Sequence, residues 1–264
     1  MIVPARAAVA AACQRELAAN RVNRFLHVHL VLAASAGLLP LFTPDDVQSA
    51  APLWVLHAVL YCLSLSALLL GLSSAHGEAD EFALLFTQPA PRWAWLLGKA
   101  AGLSVVLIPA SVLLVLPAAF GGGLTPGLAG LAAAASGITL ALAAIGLAVG
   151  FWVRDPVRSL LTALGTWFVL LFGTDLLLLA LSGAPWLQER PTLWVALLMA
   201  NPLDALRITV IFDVEHAAFA GLDGGGLVAW WLAHGWAWLA LVVTLWTTAG
   251  FTTGLAGARR RVDA

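Results

Sequence analysis

Charge is what this chain has least of: only 10% of its 264 residues are Asp, Glu, Lys or Arg, while 61% are hydrophobic. A soluble domain carries roughly 25% charged residues, and the mean hydropathy here is +0.94, so a water-soluble fold is excluded. Cysteine is almost absent. Cys13 lies in a basic N-terminal segment and Cys62 inside an apolar run, which rules out a disulfide framework and predicts two free thiols. With only two methionines, the chain has no soft-ligand relay of the kind copper(I) favours. The six histidines, at 27, 29, 57, 76, 216 and 234, are scattered, with no pair at metal-ligand spacing opposite a carboxylate. A phosphate-binding loop needs an upstream glycine and a following Ser or Thr, and Gly98-Lys99 has neither. The chain is therefore expected to bind neither ATP nor a metal or other cofactor by itself. No nucleic-acid partner is expected either. The first twenty residues carry Arg6, Arg15 and Glu16 among alanines and lack a clean apolar core, so no cleaved signal peptide is expected.

What the sequence has in abundance is long apolar runs. A hydrocarbon core of about 30 Å needs roughly 20 apolar residues as helix, because lipid cannot satisfy open backbone groups. That ruler predicts six spans, near residues 25–41, 52–72, 100–120, 128–153, 160–181 and 228–255, in an all-α polytopic membrane protein forming one domain over residues 1–264. Pro109 and Pro117, and the glycines at 137, 146 and 150, are tolerated in such helices. Basic residues cluster in alternate connections: Arg6, Arg15, Arg21 and Arg24; Arg92 and Lys99; Arg154 and Arg158; Arg259, Arg260 and Arg261. The other side has only Arg190 and Arg207. By the positive-inside rule both termini are predicted to be cytoplasmic, in the inner membrane of a bacterium. Trp54, Trp186, Trp194, Trp230 and Trp231 on one side, and Trp93, Trp95 and Trp152 on the other, fall near the predicted interfaces.

Four segments do not span. Residues 5–24 set Val9, Ala12, Cys13, Leu17 and Ala18 against Arg6, Arg15, Glu16 and Arg21, an amphipathic pattern suited to lying on anionic lipid. An ordinary topology anchor would read the same way. The connection 73–99 opens on acidic residues, including Glu78 and Glu81, and continues through Phe82-Ala83-Leu84-Leu85-Phe86 to Pro89. Acids suit the first turn of a short helix and Pro89 ends it. Phe82, Leu85 and Phe86 would then form one apolar stripe, which docks on lipid or a partner unless it packs beneath the spans. Arg154-Asp155-Pro156-Val157-Arg158 reads as a charged turn. Residues 182–227 hold three apolar clusters too short to cross, at 193–200, 203–212 and 217–222, and point to a re-entrant or interfacial pair of helices. Within them Asn201 is a natural N-cap, Pro202 a first helical residue, and Asp204 can pair with Arg207 one turn on.

Asp175 is the one carboxylate well inside a predicted span, where an unpaired charge costs about 2.5 to 3.5 kcal/mol on insertion scales. It reads either as a functional group or as a hydrogen-bonded packing residue beside Thr174. Gly146 and Gly150, four apart, fit a close helix contact.

The order of these features resembles that of the ABC-2 type transporter permeases. The stretches that carry the resemblance are Arg15-Glu16-Leu17 with Arg21 to Phe25, then Glu78 through Leu84 to Arg92, and Leu97-Gly98-Lys99. Asp175 with its leucine run and Asn201 to Arg207 look most like one branch, the NosY-type permeases of nitrous oxide reductase maturation. The resemblance implies a homodimer on two copies of a separate ATPase subunit, which holds the ATP and magnesium. It casts the first cytoplasmic loop as the coupling helix, with Glu78, Glu81, Phe82, Leu85, Phe86, Pro89 and Arg92 as its contact residues. The branch further implies a periplasmic accessory partner and a sulfur- or copper-related cargo. Where the family often has Gly-Thr after the acidic start, this chain has Asp80-Glu81. The same architecture also suits an exporter of a drug, lipid or polysaccharide. An intramembrane enzyme would need a second polar group converging on Asp175, and a passive channel a ring of polar lining residues; neither is evident in the sequence.

Overall fold

The computed structural model describes residues 4–42, 51–77, 91–122, 125–189, 191–214 and 225–263. Every regular element among them is helical. In chain order they are α1 (Ala5–Arg21), α2 (Arg24–Leu38) with a 3-10 turn (Leu39–Phe42), α3 (Pro52–Gly77), α4 (Arg92–Gly122), α5 (Pro126–Trp152), α6 (Pro156–Leu181), the short α7 (Pro185–Gln188), α8 (Pro191–Ala200), α9 (Pro202–Val214) and α10 (Gly225–Asp263). Local sequence sets several starts. Asn23 accepts from the Phe25 amide, Thr125 from Leu128 and Asp155 from Arg158, the last two each followed by a proline at the first helical position. The charged turn at 154–158 is thus also the cap of α6.

Among the described residues, five helices are long and apolar enough to cross a membrane: α3, α4, α5, α6 and α10. The first predicted span differs, because α2 has only 15 α-helical residues. At 1.5 Å per residue, with about 2 Å for each of the four in the 3-10 turn, α2 and its continuation rise about 30 Å together. Two boundaries also shift. α3 runs on to Gly77 and α4 starts at Arg92, so the predicted 73–99 connection shrinks to 78–91. The cause is burial: Ala94, Trp95, Leu96 and Lys99 pack inside the bundle as the first turns of α4. Trp95 therefore lies against Phe151, with ring centroids 5.8 Å apart.

α3 and α5 form the centre. A Cβ on Gly71 would strike the Ala143 carbonyl, one on Gly146 the Leu68 carbonyl, and one on Gly150 the Ala75 methyl at 2.6 Å. Backbone contact at this range needs glycine and supplies the dispersion packing that replaces a hydrophobic driving force in lipid. α2 closes on α4 through Gly37, α10 on α5 through Gly250, and α1 on α4 through Gly98 and Gly102. α3 also presents a polar spine. Ser64 accepts from Trp167, Ser66 meets His29 at 2.7 Å, Ser73 accepts from Asn23, and His76 meets Ser159 at 2.7 Å. His27, by contrast, is exposed, as expected for a residue on the other side of α2. Cys13 and Cys62 are free thiols.

Candidate functional site

Two polar constellations stand out, and each gathers residues remote in sequence. The first surrounds the break between α8 and α9. Asn201 caps α9 by accepting from the Leu203 amide at 3.1 Å, and Pro202 occupies the first helical position. The Asn201 amide nitrogen lies 2.6 Å from the Leu170 carbonyl, 2.7 Å from Asp204 Oδ2 and 3.0 Å from Thr174 Oγ1. Leu170 sits in a π-helical turn of α6, Val169–Gly173. Such a turn displaces carbonyls from the ordinary ladder and frees them for outside donors. Arg207 Nη1 completes the group, 2.7 Å from Asp175 Oδ2 and 3.4 Å from Asp204 Oδ1. Asp204 is 1% exposed and its Oδ1 accepts no hydrogen bond, so Arg207 is its compensating charge. Burial pushes the Asp204 carboxyl above the ordinary aspartate range, against hydrogen bonds from Thr174 and Asn201 and the Arg207 charge.

Sequence neighbours offer Asp175 no charged partner at its depth; the structure supplies Arg207 from 32 residues away. The i,i+3 pair of Asp204 and Arg207 forms, but the shorter bond of Arg207 goes to Asp175. α10 holds the other side of the break. Trp238 donates to the Met199 carbonyl and Trp246 to the Ala200 carbonyl, each at 2.9 Å. These are end-of-helix carbonyls that α8 cannot satisfy itself. The arrangement fixes a non-spanning helix pair against α6 and α10 with its polar ends paired.

The second constellation joins α1, α3 and α4. Glu16 and Lys99 form an ion pair with Nζ 2.5 Å from Oε2, the side chains 2% and 1% exposed. The other carboxylate oxygen accepts from Ser74 at 2.6 Å and Asn20 at 2.8 Å, and Lys99 also donates to the Ser74 carbonyl at 3.3 Å. Trp95 lies under the ammonium, 5.8 Å from its ring centroid. Charge counting groups Lys99 with the basic residues of the predicted 73–99 connection; the structure places it inside α4 and buries it in the bundle. The signal for it was the only lysine of the chain standing within an apolar run, matched by the only acid of α1.

The expected coupling residues Glu78, Glu81, Phe82, Leu85, Phe86 and Pro89 lie outside the described residues. Arg92 is the first residue of α4 and is half-buried. Among the described residues no group of three metal-ligating side chains converges.

Among the described residues, five helices long and apolar enough to cross a membrane, a sixth shorter apolar helix and a pinned helix pair too short to cross define a multi-pass helical membrane protein. Residues 7–255 match the family described as ABC-2 family transporter protein, and the chain belongs to that family. It is thus an ABC transporter permease, and membership implies an ABC ATPase partner in general. No curated protein matches it.

Proposed function

We propose that this chain is the membrane-spanning half of an ABC transporter that works as a homodimer on two copies of a cytoplasmic ATPase, in the inner membrane with both termini cytoplasmic. The observation that carries this is the Glu16–Lys99–Ser74 cluster. Ser74 lies three residues before the described end of α3, and Lys99 seven residues after α4 begins. Both stems of the 78–91 connection are therefore tied to one another and to α1. A force applied at the connection is delivered to three helices at once, as a coupling element requires. In this reading ATP and magnesium are bound by the ATPase, and Phe82, Leu85 and Phe86 dock on it with Glu78 and Glu81 facing its basic residues.

For cargo, we favour the sulfur- or copper-related maturation of nitrous oxide reductase with a periplasmic accessory partner. Its support is that Asp175 and the stretch Asn201 to Arg207, on which the branch resemblance rests, meet in one cluster. Export of a drug, lipid or polysaccharide is the competing reading. Affinity purification in mild detergent followed by mass spectrometry tests both levels. Recovery of an ATPase that a Phe82→Asp, Leu85→Asp variant loses supports the permease–ATPase reading. A periplasmic partner in the same eluate supports the maturation branch. An ATPase indifferent to the variant sinks the coupling assignment.

A further inference from the structure

A groove of about 470 Å³ runs between α5 and α10 and is used by nothing described above. One wall is a stripe of small residues on α5, Gly127, Gly130, Ala134 and Gly137; the other is α10, from Trp236 to Val243. The groove is open to the outside of the bundle, since Ala133 and Ala240 on its edges are exposed. Ten residues of α5 at 1.5 Å each give it a length of about 15 Å, which is one leaflet of a 30 Å hydrocarbon core. Its volume is within the roughly 300 to 1,000 Å³ of small-ligand sites.

One end of the groove is charged. Asp213, near the end of α9, stands at the mouth where α5 begins, with Oδ1 3.4 Å from Trp236 Nε1. Its other oxygen faces Gly127, where a Cβ would approach it to 2.9 Å. Asp213 is exposed, and no basic side chain pairs with it among the described residues. An apolar slot one leaflet deep, closed at its polar end by a carboxylate beside an indole, fits an amphiphile with a single chain in the slot and a cation at the mouth. The carboxylate charge favours an ammonium group, and the indole N–H turned to Oδ1 leaves Oδ2 to receive it.

We propose that this groove binds one acyl chain of a bilayer aminophospholipid, with the headgroup ammonium against Asp213 and Trp236. Charge complementarity selects the occupant: an anionic phospholipid of the same chain length would set its headgroup against the Asp213 carboxylate. The proposal rests on membrane residence alone and is independent of the ATPase reading and of the cargo.

The test is native mass spectrometry of the full chain, delipidated in mild detergent and titrated with phosphatidylethanolamine or phosphatidylglycerol of identical acyl chains. The expected result is a preference for phosphatidylethanolamine on the order of tenfold, about 1.4 kcal/mol. Asp213→Asn should bring the two lipids level. Ala133→Leu with Ala240→Leu, which fills the slot from exposed positions and leaves the helix contacts intact, should remove tight retention of both. Equal retention of the two lipids by the unaltered chain, or a preference that survives either variant, overturns the proposal.

Discussion

Lys99 and Glu16 stand 83 residues apart in the chain and form an ion pair that solvent does not reach. Breaking a buried pair from one side leaves the other charge uncompensated, which costs about 3 to 5 kcal/mol, whereas removing both charges is often close to neutral. Lys99→Met and Glu16→Gln are each expected to lower the melting temperature of the detergent-solubilised protein sharply. The double variant should recover most of the loss, because the side-chain amide carbonyl that replaces the Glu16 carboxylate would still accept from Ser74 and Asn20. Losses that add instead of cancelling would show that the two charges do not compensate each other.

Arg207 bridges two carboxylates of unequal exposure, 47% for the Asp175 side chain and 2% for Asp204. Asp175→Asn leaves Arg207 paired with Asp204 and strands no charge, so it should change stability little. Arg207→Met strands the buried Asp204 and should be several times more damaging, and adding Asp204→Asn should restore much of what is lost. Thermal unfolding of the four proteins decides this. If Asp175→Asn is instead as destabilising as Arg207→Met, Asp175 has a structural weight its exposure does not suggest.

Much of this architecture is legible in the sequence, for a local reason. Membrane length and the cost of unpaired backbone groups make hydropathy runs translate directly into α3 to α6 and α10, and Asn201-Pro202 announces the start of α9 through its cap chemistry. The i,i+3 pair of Asp204 and Arg207 is legible, but the long-range pairs are not, because Asp175–Arg207 and Glu16–Lys99 join residues 32 and 83 positions apart with no periodicity linking them. Local rules mislead in such places. A lone lysine next to a charged loop reads as one more basic residue of that connection until the acid of α1 is seen beside it. The π-helical turn that offers Leu170 to Asn201 also leaves no mark in the hydropathy of α6.

Trp238 and Trp246 offer a milder test of the α8–α9 break. Replacing either indole by Phe removes one hydrogen bond to an end-of-helix carbonyl and keeps most of the apolar contact. Interhelical bonds in membrane proteins average about 0.6 kcal/mol, with a maximum near 1.7. Each single variant should therefore unfold only a few degrees early, and the double variant should raise hydrogen exchange at the first turn of α9 selectively. Exchange that rises evenly over α10 as well would mean that the indoles stabilise the bundle at large.

Glycine separates close packing from mere composition. Gly146 meets the Leu68 carbonyl so closely that a methyl group cannot enter without moving α3 away from α5, whereas Gly165, in the middle of α6, has nothing within 4 Å of its notional Cβ. Overpacking a well-fitted interface costs about 1 to 3 kcal/mol and sometimes more, and alanine is favoured over glycine by about 1 kcal/mol within a helix. Gly146→Ala is thus expected to reduce the yield of monodisperse protein and its melting temperature, while Gly165→Ala leaves both unchanged or improved. The sign of the difference is the informative quantity, since both substitutions add the same methyl group to a helix of the same bundle. Equal tolerance at the two sites would mean that α3 and α5 do not meet at the backbone distance that Gly71, Gly146 and Gly150 together require.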